Sequence, residues 1–393
     1  MKSVDLFCGC GGITEGLHKA GFKTSYAIDF HPESCLTLKT RLISKGYSVV
    51  EADNAVVNTD ITKKKTFQKF KKQTGNINID LLAAGIPCQS FSSVGKAKDK
   101  HAMKLDKRNW LYLHFIKYLK FSKPKVFVLE NVVGILSSKR DGIDIFDDLM
   151  KKTQLAGYST IDDKKRMVLD ASNFGIPQER KRVFLIGIRK DLKIDPSLIY
   201  RELEKISGLK RKKKKFNVKD AVGDLPKLLP GEGKEEVSFI NRNSNDYTKK
   251  IRRKNYRKLF NHVVRNHNDD DIQRFKHLSA KGWELRDLQK IRPDLIHHDP
   301  QHFKNRYTVQ QWKNPSKTVI SHIHKDGNLF IHPDPKQHRT FTVREAARVQ
   351  SFPDDFRFCG SRTSQYIQVG NAVPPLLAYE IAKCIKNVVF KKK

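Results

Sequence analysis

Ser3-Val4-Asp5-Leu6-Phe7-Cys8-Gly9-Cys10-Gly11-Gly12-Ile13-Thr14-Glu15-Gly16-Leu17-His18-Lys19-Ala20-Gly21-Phe22 stands at the start of the chain, and its reading decides the fold class. Residues 3–7 read as a strand, residues 8–12 as a glycine turn and residues 13–22 as a helix. Glycines let backbone approach a ligand closely, and a helix start offers N–H groups without intrahelical partners. The spacing is not the dinucleotide pattern Gly-x-Gly-x-x-Gly, and no Walker Lys-Ser/Thr pair follows it. A second strand, residues 24–28, ends in Asp29, where a doubly wound sheet carries an acid for a ribose diol. Asp60 follows a third short run, residues 55–57. Glycine or acid features at three successive strand ends suit an adenosine-containing cofactor.

Working outward, the apolar run Ile79-Asp80-Leu81-Leu82-Ala83-Ala84 leads into Gly85-Ile86-Pro87-Cys88-Gln89-Ser90-Phe91-Ser92. This puts the Cys88 thiol in a loop at a strand end, where open α/β sheets place their chemistry. A cysteine taken alone is most often a small buried hydrophobe, so its neighbours decide its reading. Residues 125–129 form another strand, ending in Glu130-Asn131-Val132, and residues 182–188 form one after Gln178-Glu179-Arg180-Lys181. Helical spacing is present at 110–119 and 142–155. The alternation predicts an α/β fold, a Rossmann-like, doubly wound sheet with a second, smaller domain.

Composition sets the partner class. The 393 residues, 38% of them hydrophobic, carry 77 Lys+Arg against 42 Asp+Glu, a formal charge of +35. Such a field attracts polyanions, nucleic acid first among them. The six cysteines lack paired metal-ligand spacing, so no metal is expected. The start carries no signal-peptide core, and no apolar run approaches the roughly 20 residues that span a bilayer. A cytoplasmic protein with reduced thiols and no membrane contact is expected.

Residues 190–338 break the strand-helix alternation and carry basic clusters at 210–215 and 249–258, with Tyr256, Trp283 and Trp312. They read as a second, basic domain, with 210–215 as a linker. Residues 261–271 read as a turn into a helix near 272–278. Residues 342–350 have a helical pattern with Thr342 as N-cap, and 374–382 read as a final helix beside the first glycine turn. The expected division is a first domain over 1–189, a second over 190–338, and a helical segment over 339–393 that returns to the first.

The order Phe7-x-Gly9-x-Gly11-Gly12, Pro87-Cys88-Gln89, Glu130-Asn131-Val132, Gln178-x-Arg180-x-Arg182, Arg344-Glu345-Ala346-Ala347-Arg348-Val349-Gln350-Ser351-Phe352-Pro353 and Gly370-Asn371-Ala372-Val373-Pro374 resembles the cytosine-C5 DNA methyltransferases of bacterial modification systems. The resemblance covers residues 1–189 and 339–390, and it implies that 1–189 is the catalytic and cofactor-binding domain, 190–338 a target-recognition domain that neutralises phosphates and reads base edges, and 339–393 a hinge helix and return to the catalytic domain. It implies S-adenosylmethionine as methyl donor, with S-adenosylhomocysteine as product and no metal. Cys88 then adds to carbon 6 of cytosine, Glu130 hydrogen-bonds to or protonates ring nitrogen 3, and Arg182 holds the flipped base by its carbonyl oxygen, with Arg180 supporting the active-site loop. By the same resemblance Phe7 lies beside adenine, and Gly9, Gly11 and Gly12 form the cofactor turn. Asp29 binds the ribose hydroxyls, although many relatives have Glu there. Asp60 binds the adenine amino group, Pro87 lines the cofactor site, and Asn371 stands near the methionine end.

A cytosine within a duplex must be flipped out before it can be attacked. Residues 92–109, with six Lys or Arg, read as a basic loop that folds onto the DNA. Gln89, Ser92, Lys96 and Thr318 are the expected DNA contacts, Thr318 lying in Pro315-Ser316-Lys317-Thr318-Val319, which looks like the family's small motif near the flipped base. The expected partner is double-stranded DNA, with a restriction endonuclease acting independently, and the expected state is a monomer. Two other functions fit less of the sequence: the same reaction on transfer RNA, and a non-catalytic DNA-binding relative, against which Cys88, Glu130 and Arg182 together argue.

Overall fold

The structure, a computed structural model, describes residues 1–87, 110–207, 215–239, 244–253, 256–282, 284–296 and 307–391. It divides into a first unit of Met1–Phe174, Lys181–Lys212 and Pro375–Lys393, and a second of Gly175–Arg180 and Lys213–Pro374. Among the described residues, eight strands of the first unit form one sheet. They are β1 (Lys2–Leu6), β2 (Lys23–Asp29), β3 (Val56–Asn58), β4 (Leu81–Gly85), β5 (Val126–Val132), β6 (Tyr158–Ser159), β7 (Val168–Asp170) and β8 (Lys181–Arg189). Their order is β3-β2-β1-β4-β5-β8-β6, with β7 on β8.

β1 to β5 are parallel, and Val4, Leu6, Leu81, Leu82, Val126 and Leu129 are fully enclosed. Near-continuous burial of this kind is what a parallel sheet covered on both faces requires. The chain winds from β1 outward to β3 and then crosses to β4 on the other side of β1. The reversal opens a crevice at the carboxyl ends of β1 and β4, where ligands of such sheets bind. β8 runs antiparallel to β5, with Arg182 opposite Val132 and Phe184 opposite Glu130. The start of β8 therefore lies at the same edge as the end of β5.

Helix α1 (Gly12–Lys19) follows the glycine turn and packs on the late helix Pro375–Ile385. A Cβ at Gly16 would stand 2.5 Å from both the Ala378 Cβ and the Tyr379 backbone nitrogen, so only glycine permits this approach. Helices α2 (Pro32–Ser44) and α3 (Val49–Ala55) enclose Cys8, Cys35, Leu38, Leu42 and Ala52. Ser48 and Glu51 form a reciprocal cap at the start of α3. Helices α4 (Lys64–Thr74) and α5 (Leu111–Ser122) meet through aromatic rings, Phe70 lying 4.5 Å from Tyr118 and 5.0 Å from Tyr26 of β2. The helix expected over 142–155 is shortened to α6 (Ile145–Leu155), capped by Asp144, because residues 139–144 form a two-stranded hairpin. α7 (Ser197–Ile206) completes the unit's major helices.

The second unit carries an antiparallel pair, β9 (Gly233–Ser238) and β10 (Lys258–Val263). Residues 261–263, expected in a turn, thus belong to a strand. Asn261 holds a positive φ of 59° there, its side chain accepting from the Phe358 N–H at 2.9 Å and donating to the Phe358 carbonyl at 3.0 Å. The expected helix near 272–278 is longer, Asp269–Lys281, and packs with Leu285–Ile291 around Phe275, Leu278, Leu288 and Tyr307.

Thr342 caps the helix Val343–Val349 as expected, in a box closed by Glu345. That helix groups with the second unit, and the chain re-enters the first at Pro375. Its buried arginines show why. Arg344 donates to the carbonyls of Phe260, Pro353 and Phe356. Arg348 binds Asp354 at 2.8 and 2.9 Å and Asp224 at 2.5 Å. Among the described residues no helix is long and apolar enough to cross a membrane.

Candidate functional site

Phe7, Gly9, Gly11 and Gly12 form the turn from β1 into α1. Phe7 has a φ of 57°, Gly9 of 52° and Gly11 of 93°, a run of left-handed backbone that turns the chain sharply. A Cβ on Gly11 would meet the Leu38 side chain at 2.5 Å, whereas one on Gly9 would point into open space. Gly11 is thus required by packing, and Gly9 leaves room for a ligand beside the backbone. Asp29 at the end of β2 clamps this turn, accepting from the Gly9 N–H and the His31 N–H at 2.9 Å each. Burial raises its carboxyl pKa, and the two amide donors work against that rise. Each oxygen keeps a second lone pair for a hydroxyl.

Beneath the turn lies a second carboxyl group. Asp5 is 1% exposed and accepts from the Thr14 hydroxyl at 2.6 Å. Burial pushes its pKa up to about 7, with the Asp29 charge adding to the rise. Asp60 stands exposed just after β3 and takes the Thr62 N–H at 2.9 Å. Partial burial works against its ionisation, but the Thr62 donors and the nearby Lys63 outweigh this and hold the carboxyl below its usual range.

At the other side of the crevice two of the expected residues, Glu130 and Arg182, meet. Glu130 is nearly buried on β5, and Arg182 at the start of β8 places its Nε 3.2 Å from the Glu130 Oε1. Gly85, at the end of β4, is register partner to Glu130; a Cβ there would lie 3.7 Å from the Glu130 Oε2 and 3.9 Å from the Phe7 carbonyl oxygen. The carboxyl group therefore sits between the glycine turn and the end of β4. Asn131, fully buried, donates to the Ile86 carbonyl and steadies the backbone just ahead of Pro87. Cys88, Gln89, Ser92 and Lys96, with the whole expected loop 92–109, lie outside the described residues. So does the linker 210–215 up to residue 214, along with Trp283.

Of the described thiols, Cys8, Cys10, Cys35 and Cys384 are buried, and burial raises the pKa of each, Cys35 and Cys384 to about 12. Such groups stay protonated and are poor nucleophiles. No cluster of three His, Cys, Asp or Glu that could hold a metal occurs among the described residues.

The remaining expected residues belong to the second unit. Arg180 is buried and donates to the Val319 carbonyl at 2.6 Å and the Gly370 carbonyl at 3.2 Å. Its guanidinium thus ties the segment containing Thr318 to the end of the helix Arg362–Asn371. Thr318 donates its hydroxyl to the Glu179 carbonyl, and Asn371 is exposed at the helix end.

Two glutamines and an aromatic residue went unassigned in the sequence. Gln178 accepts from the Val319 N–H at 2.9 Å and donates to the Gln350 side chain, which in turn donates to the Ala372 carbonyl at 2.6 Å. This buried amide ladder links three segments of the second unit. The flanking arginines drew the reading away from Gln178, although its place in Gln178-Glu179-Arg180 was a usable signal. Phe30 is 68% exposed directly after Asp29, a large apolar ring left in solvent at a strand end. An aromatic residue following a strand-end acid is the signal that could have found it.

The family model described as C-5 cytosine-specific DNA methylase matches residues 1–387. Among curated proteins the chain is 30% identical to the type II methyltransferase M.Bpa9945I of Bacillus paralicheniformis, covering 99% of each chain. It is 32% identical to the type II methyltransferase M.DdeI of Desulfomicrobium norvegicum, over 98% of this chain and 88% of that one. Its fold is similar to that of a crystal structure described as a prophage-encoded DNA modification methyltransferase from E. coli, with a TM-score of 0.71, 24% identity and full coverage of both chains. It is also similar to S. pombe Dnmt2, with a TM-score of 0.57, 14% identity and coverage of 99% and 100%.

Proposed function

The chain belongs to the C-5 cytosine-specific DNA methylases and is a DNA cytosine-5 methyltransferase, and on that footing we propose how its residues act. The protein methylates carbon 5 of a cytosine flipped out of duplex DNA at a defined sequence, as the modification partner of an independent restriction endonuclease in a bacterial cytoplasm. The observation that carries the mechanism is the Glu130–Arg182 pair, 3.2 Å apart at the carboxyl edge of the sheet and reached by the strand that leads through Pro87 to Cys88.

The glycine turn, with open space at Gly9 and a clamped acid at Asp29, fits S-adenosylmethionine. Phe7 and the exposed Phe30 supply apolar faces for the adenine, Asp29 a partner for the ribose diol, Asp60 an acceptor for the adenine amino group, and Pro87 and Asn371 contacts toward the methionine end. When bound, this cofactor supplies an electrophilic methyl group. Carbon 5 of cytosine is too weak a nucleophile until the ring is activated. Cys88 Sγ forms a bond to carbon 6, and the displaced electron pair moves toward nitrogen 3. Glu130 places a hydrogen bond or proton there, and the Arg182 fork holds the carbonyl oxygen at carbon 2. After the methyl group has joined carbon 5, loss of the carbon 5 proton expels Cys88 as thiolate and restores the aromatic ring.

Residues 190–338 serve as the target-recognition segment, and Thr318, Gln89, Ser92 and Lys96 contact the DNA, Thr318 standing next to the Val319 that Arg180 and Gln178 hold. The test is a covalent trap. Duplex DNA carrying 5-fluorocytosine should give a denaturant-resistant complex with the protein, because fluorine blocks the final elimination, and Cys88→Ala should give none. Trapping by the Cys88→Ala protein, or methylation of transfer RNA in preference to duplex DNA, would overturn the assignment.

A further inference from the structure

The second unit contains a cavity of about 720 Å³ that the methylation chemistry does not use. Its volume falls in the range of small-ligand pockets. Its walls are fixed by backbone contacts. Val218 N–H donates to the Asn314 carbonyl at 2.9 Å and Lys219 N–H to the Trp312 carbonyl at 3.1 Å, joining one wall to the next. Across the cavity, the Gln337 side chain accepts from the Leu228 N–H at 3.1 Å, and Arg339 donates to the Leu228 carbonyl at 2.9 Å.

The charges around this cavity do not balance. Lys219, Lys227 and Lys313 line it, and none of the three has an ion pair among the described residues. Asp334, the rim acid, is turned into its own loop, accepting from the Lys336 N–H at 3.0 Å and the Gln337 side chain at 3.1 Å. Glu345 on the floor is fully engaged by Arg339, with two bonds of 2.7 Å. Burial pushes His332 down to about 4, so it adds no charge at neutral pH. Its ring stands edge-on to Trp312, 5.4 Å between centroids, and holds the half-buried indole in the wall. Three lysines thus line the cavity beside Trp312, where Glu345 is engaged by Arg339 and Asp334 interacts with Lys227.

We propose that this cavity binds a nucleotide unit, its phosphate taken by Lys219, Lys227 and Lys313 and its base laid against Trp312. Lysine receives phosphate as a point charge, and an indole face accepts any base by stacking. The unit can come from a free mononucleotide or from an unpaired nucleotide of a DNA strand. Binding here involves neither Cys88 nor Glu130, so the site stands or falls apart from the methylation mechanism.

The experiment is equilibrium dialysis of radiolabelled deoxyguanosine monophosphate against the full chain, with S-adenosylhomocysteine in excess to fill the cofactor site. Saturable binding is expected, weakened about tenfold or more in a Lys219→Gln, Lys227→Gln, Lys313→Gln protein and in Trp312→Ala, but largely kept in Trp312→Phe. These lysines are exposed and the triple variant should melt like the parent. Competition by a duplex with one unpaired guanosine assigns the site to a strand nucleotide; failure to compete assigns it to the free one. No saturable binding up to about 10 mM, or binding unchanged in the triple variant, overturns the site.

Discussion

At the residue scale, Glu130 joins two duties. In the proposed mechanism it serves ring nitrogen 3, and in the structure its carboxylate lies 3.2 Å from the Arg182 Nε. Glu130→Gln keeps shape and hydrogen bonding but removes both the proton donor and the ion pair, so turnover should fall by about 10²- to 10⁴-fold while DNA affinity changes little. Single-turnover methyl transfer, read beside equilibrium DNA binding, checks the split. Asp5 makes a different prediction. Its carboxyl ionises near 3.8 in the unfolded chain and near 7 in the fold. Between those values the folded protein holds a proton that the unfolded chain releases, so stability declines as pH rises from about 4 to about 7 and then levels. Asp5→Asn should flatten that part of the curve, seen in thermal melts at pH 5 and pH 8. Glu130 and Asp29 were legible as acids at strand ends, because a short apolar run that stops at a carboxylate needs no tertiary information. Gln178 was not, because its meaning lies in Val319 and Gln350, both far along the chain.

At the element scale, the helix Val343–Val349 is held by ionic bonds inside the second unit rather than by apolar packing alone. Arg348 is fully buried and binds both Asp354 and Asp224. Arg348→Leu should cost about 3 kcal/mol, the lower end for a broken buried pair, since Arg252 still reaches both carboxylates at 2.5 and 3.3 Å. Urea denaturation measures this directly. The Thr342 cap of this helix was readable because capping is local. The strands of the first sheet were readable for the same reason. Helix α4 was not: its inward face is Thr66, Phe70 and Thr74, four residues apart, and the intervening lysines hide that spacing. Residues 261–263 misled for the opposite reason, since Asn261 reads as a turn residue but is held in β10 by Phe358, a partner supplied by the tertiary fold.

At the scale of the whole molecule, a formal charge of +35 makes DNA binding a matter of counterion release. If six to ten phosphates are neutralised, affinity should fall about 10³- to 10⁵-fold between 50 and 200 mM salt, and fluorescence anisotropy at a series of salt concentrations gives the slope. Charge and fold class were legible in composition and strand order, whereas the re-entry of the chain into the first unit at Pro375 is set by tertiary packing. The packing of Gly16 on Ala378 then acquires a meaning in time. Helix α1 leaves the ribosome more than three hundred residues before the helix it leans on. At 5–20 residues per second that delay is on the order of 20–70 s, during which the glycine turn has no support behind it. The first unit is begun first and finished last, so a nascent chain can complete the second unit before the first is whole.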